Sequence, residues 1–146
     1  MEHIKIAFFD IGGTILEFEH REITEKMRDT LHQLQKNGII ICIATGRASV
    51  SLPHFSGVDF DAYLTFNGSY CYNKQGAIFD NPNYGFDKSE AMAFGDGDND
   101  IEMLEAVGHG IAMANGLDNV KAIANDMCGD VAQDGIYHYC KMHNLI

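Results

Sequence analysis

Along this chain the spacing of hydrophobic positions switches repeatedly between two periods. Ile4 to Phe9 is β-rich and nearly all apolar, as expected of a strand covered on both faces. From Ile23 the period lengthens. Ile23, Met27, Leu31 and Leu34 share one helical stripe, and Asn37-Gly38 is a C-terminal stop. Ile39 to Ala44 reads as a second buried strand and Ala62 to Phe66 as a third. Ser69 to Asn73 and Ala77 to Phe79 flank "KQG", which predicts a small hairpin near residues 69–79. Ala91 to Phe94 is a fourth buried strand, followed by a helix from about Asn99 to Val107 with Ile101 and Leu104 inward. Gly110 to Met113 is a fifth strand, Asp118 to Asn125 a short helix, and Ile136 to His143 another. Strands alternating with helices predict an α/β fold: a mainly parallel, five-stranded sheet with helices on both faces.

One segment breaks this rhythm. Between Phe66 and Ala91 no helical pattern appears, and "DNPNYGFDKSE" is turn-like. Parallel strands usually need a helical crossover. Its absence predicts that part of one sheet face is left bare, and bare apolar faces mark interaction sites. A homo-oligomer covering that face is the expectation.

Length and composition narrow the class. The 146 residues predict one domain, 1–146, with a core of its own. A hydrophobic content of 46% with 21% charged residues is ordinary for a globular protein, and no apolar run approaches a membrane span. No secretion-type leader pattern opens the chain, so the expectation is the cytoplasm. The four cysteines (Cys42, Cys71, Cys128, Cys140) have no zinc-like spacing and read as reduced thiols. A formal charge of −11 argues against nucleic acid, which needs clustered Lys and Arg. It leaves room for a phosphorylated substrate if a divalent cation mediates the contact.

The polar residues of interest fall at the carboxyl ends of successive strands: Asp10 after the first, Thr45 after the second, Asp96 after the fourth. Open α/β sheets bind ligands at that edge. Taken singly, each has a plainer reading. Asp10 could cap a turn, and Thr45-Gly46 could be ordinary turn chemistry. "GDGDND" could imitate a calcium loop, but its twelfth position from Asp96 is Val107, not Glu. "DIGGT" alone also fits an actin-like sugar kinase. That reading would need a β-hairpin after the motif, whereas this chain continues into a loop and an amphipathic helix.

In order, "FFDIGGTIL", "IICIATGR", "FDAYLTFNGSY" and "AMAFGDGDNDIEMLEAVGHGIAMANG", continued by "DNVKAIANDM", resemble the haloacid dehalogenase superfamily, in particular its Cof-type sugar-phosphate phosphatases. The resemblance spans nearly the whole chain and implies a Rossmannoid core. It implies that Asp10 is the catalytic nucleophile. Mg²⁺ would be held by Asp10, the backbone carbonyl of Gly12, Asp96 and Asp100. Gly13, Thr14, Thr45, Gly46 and Asn99 would bind the phosphoryl group, with Thr45 counted among the catalytic residues. The implied substrate is a small phosphorylated metabolite.

The chain departs from that family in three ways. Gly12 stands where the phosphatases carry a second Asp, the general acid and base. Such help is typically worth roughly 10²–10⁴-fold, so hydrolysis should be slow. The family's lysine beside the nucleophile has only Lys88 as a nearby candidate. Lys88 stands at the start of the fourth strand, about six residues at ~3.3 Å each from its far end. That gap is too long for its side chain. The large cap domain expected after "NGS" is missing, with the junction near residues 80–90.

Overall fold

The computed structural model describes residues 3–46, 55–65, 70–73, 76–77 and 87–146. Eight strands form one sheet in these residues: β1 (Ile6–Phe9), β2 (Ile40–Ala44), β3 (Ala62–Thr65), β4 (Tyr70–Asn73), β5 (Gly76–Ala77), β6 (Ala91–Gly95), β7 (His109–Ala112) and β8 (Asp126–Met127). Their spatial order is β5-β4-β3-β2-β1-β6-β7-β8. The six strands from β3 to β8 in that order are parallel, whereas β4 and β5 run antiparallel at one edge. The hairpin therefore lies where the pattern predicts it. Its expected outer residues Ser69, Ile78 and Phe79 lie outside the described residues, as do Phe66, Arg47 and the turn-like stretch 80–86.

The sheet has one parallel strand more than expected. β8 is two exposed residues, Asp126 and Met127, hydrogen-bonded beside Ile111 and Ala112. So short and polar a strand carries no apolar alternation, which is why the pattern omits it. The predicted helix from Asn99 divides in two: a 3-10 turn at Asp98–Asp100, then α2 (Ile101–Ala106).

Alternation along the central strands sorts side chains into two cores. Ala7 and Phe9 of β1, Ile41 and Ile43 of β2, and Met92 and Phe94 of β6 face one side. They meet Leu31 and Leu34 of α1 (Glu25–Lys36) and Ile136, Tyr139 and Cys140 of α4 (Gly135–Met142). The Phe9 and Phe94 rings stack at 5.3 Å, and Tyr139 meets Phe94 edge-on at 5.8 Å. Helix α1 starts where its stripe and cap agree: Thr24 Oγ accepts from the Met27 N–H at 3.0 Å. Ile6, Cys42, Ala62, Ala91 and Ala93 face the other side, against Leu104 of α2 and Val120 of α3 (Asp118–Ile123). The helices thus cover both faces, as predicted.

Cover on the second face is uneven. Helices α2 and α3 lie over β6 and β7, while Phe8, Ile40 and Leu64 on β1 to β3 stay partly exposed. A groove of about 270 Å³ runs there between Phe8, Leu64 and Met103 and opens beside Thr45 and Asp100. Among the described residues, cover is thinnest on this part of the sheet.

Candidate active site

Strand register explains how distant residues meet. Phe9 aligns with Ile43 on one side and Phe94 on the other. Asp10, Thr45 and Asp96 therefore leave the sheet together, at its carboxyl edge. The chain proceeds from β1 outward through β2 and β3, then returns to β6 on the opposite side of β1. That reversal opens the crevice in which α/β sheets bind ligands.

Three buried carboxylates converge in the crevice. Asp10, Asp96 and Asp100 are 6%, 8% and 2% exposed, and each offers an oxygen within 4.8 Å of the others. Asp10 is fixed by its N–H donating to the Phe94 carbonyl at 3.1 Å. Thr14 Oγ donates to Asp96 Oδ1 at 3.1 Å. Asp100 Oδ2 accepts from the N–H groups of Asp96 (2.9 Å) and Gly97 (3.0 Å), so it braces its own turn while facing the cluster. Asp98, grouped with these acids in the sequence motif, is exposed and bonded to the Asn119 amide instead.

Two glycines make the approach possible. Gly13 has φ +78°, and a Cβ there would lie 2.1 Å from Asp96 Oδ2. A Cβ on Gly95 would lie 2.6 Å from that of Asp100. Either substitution would push the carboxylates apart.

The electrostatics ask for a cation. Among the described residues no Lys, Arg or His forms an ion pair with these three acids. Burial first, then the Asp100 carboxylate and Asp96, push the Asp10 carboxyl up to about 9. Burial raises Asp100 as well, opposed by the two N–H groups it accepts. An all-oxygen, multiply anionic, buried pocket fits a hard divalent ion.

Thr45, Gly46 and Asn99 lie on the rim around this cluster, and Lys88, as its distance in sequence from the strand end implies, does not. Thr45 is buried at the end of β2, with its N–H donated to the Leu64 carbonyl at 2.9 Å. Gly46 and Asn99 are exposed on the same rim. The Gly13 N–H donates to the Leu16 carbonyl (2.7 Å) and the Thr14 N–H to the Ile11 carbonyl (3.1 Å). Both amides thus shape the loop. Gly12 bridges to Leu16 in that loop and brings no carboxyl near Asp10. Lys88 sits in a 3-10 turn (Lys88–Glu90) at the opposite end of β6, where Lys5 and Glu90 pair at 2.8 Å. Sequence reasoning missed Asn115. Its amide donates to the Gly13 carbonyl at 2.8 Å and its oxygen accepts from the Val131 N–H at 2.9 Å, pinning the loop after Asp10. "ANG" after a strand was the available signal.

Comparison with known proteins agrees with this geometry. The profile of the haloacid dehalogenase-like hydrolases matches residues 7–83 and 81–140. The chain is 48% identical over 58 residues to the 5-amino-6-(5-phospho-D-ribitylamino)uracil phosphatase YitU of Bacillus subtilis. It is 48% identical over 59 residues to the pyridoxal phosphate phosphatase YbhA of Escherichia coli. Each match covers 40% of this chain and 22% of the relative, so the chain spans well under two thirds of their length. The fold matches a solved HAD subclass IIB sugar phosphatase with TM-score 0.90 at 20% identity, over 97% of this chain and 100% of that one. No described helix is long and apolar enough to cross a membrane. From the match along nearly all its length and the acidic crevice it carries, the chain belongs to the haloacid dehalogenase-like hydrolases, in their Cof-type phosphatase branch.

Proposed function

We propose that the chain is a Mg²⁺-dependent phosphatase core with Asp10 as nucleophile, acting slowly on small phosphorylated metabolites in the cytoplasm. One observation carries this reading: Asp10, some 86 residues before Asp96 and Asp100, brings a ligand oxygen within 4.8 Å of theirs in a buried crevice. Asp10, Asp96, Asp100 and the Gly12 carbonyl would hold the ion. When bound, it would neutralise the acids and draw charge from the phosphoryl oxygens.

The chain's own groups do the rest. Thr45, Gly46 and Asn99 hold the phosphoryl oxygens, and the loop from Gly13 to Leu16 keeps Asp10 in position. The Asp10 oxygen forms a bond to phosphorus as the bond to the leaving oxygen breaks. Because residue 12 has no carboxyl, the leaving oxygen takes its proton from solvent. Water then attacks phosphorus without a protein base, its proton passing to solvent, and the bond to the Asp10 oxygen breaks to release inorganic phosphate and restore the carboxylate. Good leaving groups, as in aryl and acyl phosphates, are therefore favoured.

A cap-deleted core fits the same picture. The two stretches that match the family profile adjoin at residues 81–83, and the two named relatives are much longer than their matched parts. Both relatives are named for phosphates that carry a heteroaromatic ring, which supports a small organic phosphate as substrate. The partly exposed Phe8, Ile40 and Leu64 support self-association over that face. Light scattering that gives a clean monomer at high concentration contradicts the association.

Gly12 favours a second reading, a non-catalytic module that binds metal or phosphate. Turnover of p-nitrophenyl phosphate with Mg²⁺ separates the two. The enzyme reading expects a slow parent rate and a rise of roughly 10²-fold or more in Gly12→Asp. If neither protein turns over, the enzyme reading fails.

A further inference from the structure

Residues 17–20 form a turn whose Phe18 reaches the edge of the acidic crevice beside Gly13. The His20 N–H donates to the Glu17 carbonyl at 3.1 Å, and Glu17 Oε2 lies 3.0 Å from His20 Nε2. Glu19, third in the turn, has φ +77°. That is the left-handed value of a type II turn, at a position that ordinarily takes Gly or Asn. The turn is strained and its ends are tied together.

What this strained turn presents is an aromatic ring in water. Phe18, second in the turn, is 67% exposed. An isolated exposed apolar residue needs no explanation, but the position of this one does. A Cβ built on Gly13 would lie 2.1 Å from Asp96 Oδ2 and 2.8 Å from Phe18 Cε2. The ring edge and the carboxylate are thus separated by no more than the room one methyl group would fill. The loop beneath is fixed, because Gly13 N–H donates to the Leu16 carbonyl and Leu16 N–H to the Ile11 carbonyl. Strain held beside a reactive centre, with its contacts over-determined, is a sign of function.

We propose that Phe18 is a stacking platform for a flat aromatic or heteroaromatic group in the alcohol portion of the substrate. This makes it the residue that selects ring-bearing phosphate monoesters. The inference rests on the phosphoryl site proposed above, around Asp10 and Thr45. With the phosphoryl group there, the adjoining part of the ester lies at the crevice mouth beside Phe18. The crevice is strongly acidic, so a neutral π-face on its rim attracts an uncharged ring without adding repulsion. Phe18 touches no reacting atom and acts as a specificity residue.

Binding of two non-hydrolysable probes, phenylphosphonate and methylphosphonate, tests this with Mg²⁺ present and needs no turnover. The parent is expected to favour the phenyl probe by about two- to twelvefold, the range one aromatic pair supplies. The preference should fall to near one in Phe18→Ser and return in Phe18→Tyr. A parent ratio near one overturns the proposal, as does a preference that survives in Phe18→Ser, which would move selectivity to the groove beside Phe8 and Leu64. If neither probe binds the parent, the phosphoryl site itself is wrong and this inference falls with it. If methylphosphonate binds with no phenyl preference, only Phe18's role is lost.

Discussion

Replacing Asp10 by Asn should make the metal-free protein more stable while abolishing its response to Mg²⁺. The cluster holds three carboxylates with oxygens within 4.8 Å of one another and no described cation beside them. At an effective dielectric of about 20, two unit charges at that distance repel by about 3.5 kcal/mol. Asp10 escapes part of this by keeping a proton, its carboxyl raised from 3.8 to about 9. A raised acid favours the fold fully only below its unfolded value. That contribution fades as pH climbs from near 4 towards 9. The amide of Asp10→Asn fills the same space with no charge to hold off. We expect a gain of about 2–4 kcal/mol at pH 7.5 in EDTA, or roughly 8–15 °C in Tm. Metal at 100 times its Kd should then stabilise the parent by about 2.7 kcal/mol and the variant by almost nothing. Thermal unfolding followed by circular dichroism, from pH 4 to 9 with EDTA or MgCl₂, measures all of this. Two results would refute the reasoning: a variant no more stable than the parent without metal, or a difference that does not shrink as pH falls towards 4.

Other consequences are as specific. Gly13→Ala combines a left-handed backbone with a clash against Asp96 and should lose about 2–4 kcal/mol, measured by urea unfolding. It should also weaken Mg²⁺ binding, measured by calorimetry. Cys42, Cys128 and Cys140 are buried and their thiols are pushed up to about 12, chiefly by burial. In a Cys71→Ser background, Ellman's reagent at pH 8 should therefore react only at the rate of unfolding. Leu31→Ala empties a fully buried site between α1 and the sheet and should cost about 2–5 kcal/mol in the same urea assay.

The sequence carries most of the sheet because β6 is buried on both faces, and β1 and β2 nearly so, so all three read as continuous apolar runs. The stripe through Met27, Leu31 and Leu34 and the Asn37-Gly38 stop marked α1 for the same reason. β8 was illegible, since Asp126 and Met127 owe their pairing to β7 and not to any pattern of their own. At the site, Asp10, Thr45 and Asp96 stood out because each follows a strand, and parallel register turns that spacing into proximity. Asp98 and Asp100 are the same residue type two apart, and only the family resemblance singled out Asp100; the 3-10 turn gives the physical reason, since Asp100 turns inward and Asp98 outward to Asn119. Asn115 was hidden because its two bonds reach Gly13 and Val131, in segments that no local pattern links to it. Phe18 was hidden because its meaning depends on the backbone of Glu19 and the gap above Gly13.

The central claim is that Asp10 is a competent nucleophile in a crevice that needs Mg²⁺. Fluorine NMR with beryllium fluoride tests it most directly, since that ion forms a stable mimic of an aspartyl phosphate. Bound-fluoride resonances are expected with the parent protein only when Mg²⁺ is present, and none with Asp10→Asn. Resonances that persist in Asp10→Asn, or a parent that forms no adduct at saturating Mg²⁺ and beryllium fluoride, would contradict the claim.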